Sequence, residues 1–475
     1  MPRCLAALLF LSLLSPLVLA KEADAGDAKR WVGNVFDTAD AKARDREIAR
    51  LAGWTLNEAG ARDVRQHALG LQRKAPAKLP QLKEIHEGAY EYIYEVRSRG
   101  AKYTNFAMLD LPRGLTASTP VPLVLGLHSD LGTAWYELSG LRTCAREGAA
   151  GLRDCIVACP QALNRGNTAD DPRENPPGDK EYFGWGPKQQ GIDTVFNLLD
   201  ELLEKFNVDR DRIYLTGVGM GGQACFELVQ LRPSQFAAIC VRDATPAFHL
   251  PGAKEGDLAQ LRADRKLHEQ KAEMPFATCF GATPVYWVHA DGDRKFPTEW
   301  ARAARDAMKA AEVPVNYREY EGFHGGGPTR LIAAAVNDCL KVTRNPSPAL
   351  LIARNVIGEK DRDGNDRCYW LRVKSYKRLG AKADWPAKRY AGGLVKARID
   401  RVSNTIVLES EEVNEVEILL HDDMLYLDRE VNLLINGKAS TCKPPVREVE
   451  LIAQSTTDFR LSGEVYCAKL TIKLR

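Results

Sequence analysis

Residues 213–222 read IYLTGVGMGG, an apolar strand that runs into a glycine-rich turn and then into the start of a helix. This order is the setting of the G-x-S-x-G nucleophile elbow, where small residues flank a nucleophile held at a strained backbone angle. Gly219 occupies the central position, so the turn has the glycines of an elbow and no nucleophile. The stretch therefore predicts an elbow without a serine mechanism.

Short apolar runs alternate with helix-length segments around this elbow. The runs lie at residues 122–127, 156–159, 236–241, 285–288 and 315–320, and apolar helical stripes lie at 191–206 and 220–231. Continuous apolar strands that alternate with helices predict a doubly wound, mostly parallel α/β sheet covered on both faces. Alternating runs at 90–97 and 105–111 predict an antiparallel entry to it.

The pattern differs on either side of this α/β region. Residues 21–87 have helical spacing, and residues after 346 form short strands broken by polar turns, including the hairpin dipeptide Asn436-Gly437. We predict a signal peptide at 1–20, a helical segment at 21–87, an α/β unit at 88–343 and an all-β, sandwich-like domain at 346–475.

The N-terminus has the pattern of a secretory signal. Arg3 precedes an apolar run from Leu5 to Leu14, and small residues permit cleavage after Ala20. The run is shorter than the ~20 apolar residues of a membrane span, and no other stretch could cross a bilayer. We therefore expect a secreted or periplasmic protein with no membrane span after cleavage.

The composition limits the partners. The formal net charge of +3 is spread over 475 residues, which excludes a dedicated polyanion binder, so we expect no nucleic acid partner. No cysteine pair is spaced as CxxC, and no glycine loop is followed by the Lys and Ser or Thr of a phosphate site, so we expect no cofactor and no metal. An exported chain permits disulfides, and Cys442 with Cys467 is the pair we predict.

An acid and a histidine follow the elbow in the order of a Ser-Asp-His triad. Asp293 comes after the strand at 285–288, and His324 lies in a glycine-rich turn after the strand at 315–320. In such a triad the histidine takes the proton of the nucleophile, and the acid holds the tautomer of the imidazole.

Residues from about 88 to 343 resemble the exported α/β-hydrolases, nearest to the feruloyl esterase, polyhydroxybutyrate depolymerase and prolyl-oligopeptidase-like group. DRDRIYLTG at 209–217 and VHADGD at 288–293 carry the resemblance. It implies that Asp293 is the acid, His324 the base, Gly219 the nucleophile position and the Met220 N–H an oxyanion donor. The second donor would come from the loop at Ser129, where His128-Ser129-Asp130 replaces the usual His-Gly-Gly.

Three functions stay open. The glycine removes a nucleophile whose loss costs on the order of 10⁶ in turnover, which favours a pseudoenzyme that binds a ligand or partner. Alternatively, the chain hydrolyses esters or peptides with a water activated by His324 or with Ser129; Cys225 lies too deep in the following helix. In the third case the β domain binds an envelope or extracellular partner.

Two other stretches bear on the site. The polar segment 164–186 is long enough to be a lid over the cleft. Asp361 to Asp366 alternates carboxylates but lacks the EF-hand spacing, so a polar turn is expected. A small-molecule ester, a peptide or a polysaccharide-linked compound would suit the cleft, and the oligomeric state is left open.

Overall fold

A computed structural model of the chain describes residues 20–98, 101–129, 132–162, 185, 189–246, 278, 280–358, 367–377, 389–458 and 463–474. The first elements are β1 (Lys21–Glu22), α1 (Ala25–Asp37), α2 (Ala41–Ala49), β2 (Trp54–Thr55) and α3 (Glu58–Gln72). Asp24, Asp40 and Asn57 cap the three helices. Their side chains accept hydrogen bonds from the first N–H groups of each helix, which have no acceptor inside it. Within the described ranges, no helix has both the length and the apolar character to cross a membrane.

A nine-stranded sheet forms the centre of the chain. Its strands are β3 (Lys83–His86), β4 (Ala89–Ser98), β5 (Ala101–Asp110), β6 (Val121–Leu127), β7 (Ile156–Pro160), β8 (Val208–Val218), β9 (Ala238–Arg242), β10 (Val285–Ala290) and β11 (Val315–Tyr320). The spatial order is β11-β10-β9-β8-β6-β7-β5-β4-β3. The neighbouring pairs from β11 through β10, β9, β8 and β6 to β7 are parallel. As predicted, β4 and β5 enter antiparallel, and β3 is a further antiparallel strand within residues 21–87, where only helices were expected.

Helices cover both faces of this sheet. They are α4 (Ala134–Glu147), the 3₁₀ turn Ala150–Asp154, α5 (Gln189–Lys205), α6 (Met220–Leu231), α7 (Thr298–Ala310) and α8 (Thr329–Cys339). Phe196 of α5 and Phe226 of α6 are buried in one apolar cluster, whereas Leu138 of α4 and Val336 of α8 are buried in another. Each buried side chain of this size contributes about 1.5–3 kcal/mol. The doubly wound α/β prediction is confirmed.

The C-terminal region is rich in strands, as predicted. They are β12 (Leu350–Gly358), β13 (Arg367–Cys368), β14 (Leu371–Tyr376), β15 (Arg389–Asp400), β16 (Thr405–Glu411), β17 (Val413–Leu420), β18 (Val431–Ile435), β19 (Lys438–Cys442) and β20 (Ala468–Lys473). They form the sheets β12-β15-β16-β18-β19 and β13-β14-β17-β20. Asn436 and Gly437, with φ of 47° and 79°, make the predicted β18–β19 hairpin. One helix, α9 (Val449–Asp458), was not predicted.

The two ends of the described chain share one core. Val32 of α1 and Val64 of α3 are buried in the same apolar cluster as Ile452 of α9 and Leu420 of β17. The helical segment therefore packs against the C-terminal β region, which comes almost three hundred residues later in the chain.

The predicted disulfide between Cys442 and Cys467 is wrong. Both thiols are free. Cys442 ends β19 in the five-stranded sheet, whereas Cys467 precedes β20 of the other sheet and donates its N–H to Leu420. The two cysteines therefore belong to different layers of the β region.

A buried arginine joins the α/β and C-terminal regions. The side chain of Arg344 is 1% exposed, and its guanidinium contacts Asp211 at 2.9 Å and Glu464 at 2.8 Å. Nearby, the Ser347 hydroxyl lies 2.9 Å from Nε2 of His421. The segment between the two regions is thus tied to both.

Candidate active site at the glycine elbow

The elbow turn needs glycine at two of its positions. A Cβ on Gly217 would lie 2.5 Å from the backbone of Gly221, and a Cβ on Gly221 would lie 2.0 Å from the carbonyl oxygen of Leu127. Both distances are well inside van der Waals contact. The small residues that the motif requires are therefore explained by the close approach of β8, α6 and β6.

Gly219 has the backbone conformation of an elbow nucleophile without its side chain. Its φ is 55° and its ψ is −118°, between the end of β8 and the start of α6. An L-residue at this φ is strained, whereas glycine adopts it without penalty. The turn therefore has the backbone angle of an elbow, and the residue at its centre has no side chain.

Asp293 and His324 form a hydrogen-bonded pair. The His324 Nδ1–H donates to Oδ2 of Asp293 at 2.9 Å. The other oxygen, Oδ1, accepts the N–H groups of Lys295 at 2.8 Å and Phe296 at 2.9 Å. Burial alone would raise the pKa of Asp293, but the hydrogen bonds from His324 and these N–H groups lower it below its ordinary value. The acid is therefore ionised and fixes the imidazole.

The second ring nitrogen of His324 points at the elbow. A Cβ on Gly219 would lie 3.0 Å from Nε2. Because Nδ1 carries the proton, Nε2 is an acceptor, and this buried atom has no hydrogen-bond partner among the described residues. An unsatisfied buried acceptor costs about 1–3 kcal/mol. Nε2 of His324 therefore faces the centre of the elbow, where Gly219 has no side chain.

Ser129 reaches the same point from the loop after β6. Its Oγ lies 2.7 Å from the Cβ position of Gly219. The Ser129 carbonyl accepts the His128 Nδ1–H at 2.7 Å and the Gly132 N–H at 3.0 Å. Nε2 of His128 accepts the Ala162 N–H at 2.9 Å, so the tautomer of His128 is settled by two backbone groups. His128 thus holds the loop of Ser129.

Met220, the other predicted oxyanion residue, begins α6. The first N–H groups of a helix have no intrahelical acceptor, and they form the positive end of the helix dipole. Gly219 N–H donates to the carbonyl of Arg242, and Gly219 carbonyl accepts the Gln223 N–H. These bonds orient the turn at Met220, and its role as an oxyanion donor remains a prediction.

Asp243 is a site residue that the sequence reasoning missed. It follows β9, is buried and accepts the Ala290 N–H at 2.9 Å, the Tyr320 O–H at 2.6 Å and the Gly325 N–H at 3.0 Å. Burial and Asp243 together raise the pKa of Tyr320. Asp243 therefore anchors the loop of His324. Its only signal in the sequence is an acid at the carboxyl end of a strand.

Asp243, His289 and Asp293 bring potential metal ligands within 4.8 Å of one another. Apart from Nδ1 of His289, which has no hydrogen-bond partner among the described residues, the ligand atoms of these side chains have other partners. His289 Nε2 donates to the Phe296 carbonyl at 2.9 Å, and both oxygens of each carboxylate accept hydrogen bonds. Burial lowers the pKa of His289, which favours the neutral ring. This donor set does not suit a cation.

Other predicted elements lie apart from this cluster. Cys225 is buried inside the packing of α6, and burial raises the pKa of its thiol well above the ordinary value, so it is no nucleophile. The segment 164–186 lies outside the described residues except for Trp185, whose indole N–H donates to the His128 carbonyl at 2.9 Å. Residues 361–366 also lie outside them.

The sheet order, the elbow and the acid and histidine after β10 and β11 define the α/β-hydrolase fold. No protein-family profile matches the chain, and no curated protein matches it.

Solved structures of hydrolases are similar to part of the chain. An S-formylglutathione hydrolase from Agrobacterium tumefaciens is 16% identical over 54% of this chain and 95% of that chain, with a TM-score of 0.38. A ferulic acid esterase is 16% identical over 54% and 97%, with a TM-score of 0.38. An acylaminoacyl peptidase from Pyrococcus horikoshii is 13% identical over 54% and 41%, with a TM-score of 0.38.

Proposed function

We propose that this protein binds an acyl compound, an ester or an amide, at the glycine elbow, and that its hydrolysis is severely impaired because the elbow carries no nucleophile. One observation carries the proposal: Nε2 of His324 is aimed at Gly219, which has no side chain to activate. Removal of the nucleophile from such a triad costs on the order of 10⁶ in turnover. The protein is thus a pseudohydrolase.

The rest of the site supports retained binding. Asp293 still holds the tautomer of His324, and Asp243 still anchors the His324 loop. Buried polar groups without a partner are costly, so a site that keeps an ionised acid, an oriented base and an open acceptor favours a polar ligand. A small ester, a peptide or a polysaccharide-linked ester has the acyl group that such a site would hold.

The test is a gain of activity. A Cβ at position 219 would lie 2.7 Å from Oγ of Ser129, so Gly219→Ser must be combined with Ser129→Gly to make room. We expect this double variant to hydrolyse p-nitrophenyl acetate at least ~10³-fold faster than the unmodified protein, at a matched urea midpoint. The addition of His324→Ala should abolish the gain. An unmodified protein as fast as the double variant would overturn the proposal.

Binding is measured separately with acetanilide, an unreactive amide. The ¹⁵N resonance of His324 Nε2 should shift as the amide is added, and Asp293→Asn should reduce the shift because the ring loses its fixed tautomer. The buried ring of His421, in the C-terminal β region, provides a control within the same spectrum. Absence of any shift at His324 would contradict the binding part of the proposal.

We also propose that the protein is exported. The support is the apolar run from Leu5 to Leu14 and the small residue Ala20. Because β1 begins at Lys21, cleavage after Ala20 would leave every described helix and strand whole. Protein recovered outside the cytoplasm should have Lys21 as its first residue, and a retained Met1 would contradict the proposal.

A further inference from the structure

The hydroxyl of Ser129 lies close to the point from which an elbow nucleophile would extend. Oγ of Ser129 and Nε2 of His324 lie 2.7 Å and 3.0 Å from one point, the Cβ position of Gly219. In an elbow with serine, the nucleophilic oxygen is one bond from that point. We infer that Ser129 replaces the missing nucleophile and carries out the residual acyl hydrolysis of this site. This inference rests on the acyl-binding site proposed above and adds its nucleophile.

The absence of the elbow side chain makes this approach possible. A side chain at Gly219 would be closer to Oγ of Ser129 than van der Waals contact allows. Glycine therefore leaves space at the base for a hydroxyl from the neighbouring loop. Gly219 thus provides no nucleophile itself, and it leaves room for the hydroxyl of Ser129.

A movement of the Ser129 side chain would bring the pair together. Nε2 of His324 is a buried acceptor with no hydrogen-bond partner among the described residues, so Ser129 does not donate to it in this arrangement. Rotation of Ser129 between staggered χ1 positions moves its O–H relative to the base. The missing hydrogen bond of His324 favours the rotamer in which Ser129 donates to it.

The backbone of Ser129 is held during this movement. Its carbonyl accepts two hydrogen bonds, from the His128 ring and from the Gly132 N–H. His128 is itself fixed by Ala162 and lies against Trp185, with ring centroids 5.3 Å apart. A nucleophile on a fixed backbone with one rotatable bond satisfies the requirement for an oriented attacking group.

The reaction balances with these groups alone. Oγ of Ser129 attacks the acyl carbon, and its proton moves to Nε2 of His324. The electron pair of the substrate's C=O bond moves to the carbonyl oxygen of the substrate, which lies at the start of α6. Collapse of this intermediate breaks the bond to the alcohol or amine, which takes the proton from His324. Water then attacks the acyl-Ser129 ester by the same proton transfers, releases the carboxylic acid and restores Ser129.

The test is covalent labelling of the full chain with a fluorophosphonate, followed by peptide mapping. We expect one label per chain, on Ser129. His324→Ala and Ser129→Ala should each reduce the labelling rate at least tenfold. Ser347→Ala is the matched control, because Ser347 also lies beside a histidine nitrogen, at 2.9 Å from His421, and is distant in sequence from the elbow. It should leave labelling unchanged.

The other outcomes are distinct. A label on Ser347 or elsewhere, or ester hydrolysis that survives Ser129→Ala and is lost in His324→Ala, would overturn the inference in favour of another serine or of water. No label, together with an acetanilide shift at His324, would overturn it and leave the proposed binding function intact. No label and no shift would overturn both.

Discussion

Nδ1 of His324 lies 2.9 Å from Oδ2 of Asp293, and the opposite nitrogen of the same ring faces the bare backbone of Gly219. The two residues that follow the elbow in the order of a triad therefore meet at a position with no side chain. Glycine adopts the backbone angle at position 219 without the strain that another residue would have there, so Gly219 favours the folded turn.

The Asp293–His324 pair should make stability depend on pH. The folded-state pKa of Asp293 is below its ordinary value, so its charge stabilises the fold above that value, about 3.9, and this stabilisation is lost as the pH falls through the lowered pKa. Asp293→Asn should reduce the free energy of unfolding by about 1–3 kcal/mol at pH 7.

Urea unfolding at pH 7, 5 and 3 measures this difference. The gap between the two proteins should be widest at pH 7 and should narrow below pH ~3.9. Asp306→Asn, in an exposed ion pair with Arg305, is the control and should change stability by less than about 1 kcal/mol. A gap that widens towards low pH would contradict the assignment.

Asp243 should act on the site through the loop of His324. Asp243→Asn replaces one of the two acceptor oxygens with an NH₂ donor. This change disrupts the hydrogen bonds that Asp243 accepts from Ala290, Tyr320 and Gly325 and should cost about 1–3 kcal/mol in urea unfolding. Tyr320→Phe removes only one of these bonds and should cost about 1 kcal/mol. If Asp243→Asn lowers the free energy of unfolding no more than Tyr320→Phe does, Asp243 does not anchor the loop.

Replacement of an elbow glycine by alanine should affect the stability of the protein very differently from the same replacement in a helix. Gly221→Ala would place a Cβ 2.0 Å from the Leu127 carbonyl oxygen, so we expect a loss of at least ~3 kcal/mol or failure to fold. Gly70→Ala in α3 has nothing within 4 Å and should stabilise the protein by about 0.5–1 kcal/mol. Thermal unfolding of both variants measures the difference, and similar melting temperatures would contradict the close packing.

Arg344 should couple the α/β and C-terminal regions. Its buried guanidinium joins Asp211 to Glu464, so Arg344→Ala leaves Glu464 with one fewer buried partner and should cost about 3–5 kcal/mol. Arg302→Ala, which breaks an ion pair between partly exposed side chains with Glu319, should cost less than about 1 kcal/mol. Equal losses in calorimetry would show that the buried network is not what joins the regions.

Local sequence patterns were sufficient to predict the α/β sheet and the order of the candidate site residues along the chain. The burial of a strand or helix and the geometry of a turn depend mainly on neighbouring residues. The apolar runs, the helical stripes and the glycines at 217–222 therefore predict β6 to β11 and the elbow. The absence of a nucleophile at Gly219 is likewise a property of the sequence itself.

Contacts between distant residues were decided only by the tertiary structure. The approach of Ser129 to Gly219, the bonds of Asp243 to the His324 loop and the shared core of α1, α3 and α9 join residues far apart in the chain. Periodicity reports which face of an element is buried, but it carries no information on which partner covers that face. The elbow and the glycine at its centre could therefore be predicted from sequence, whereas the approach of the Ser129 hydroxyl to Gly219 depended on how closely two loops pack.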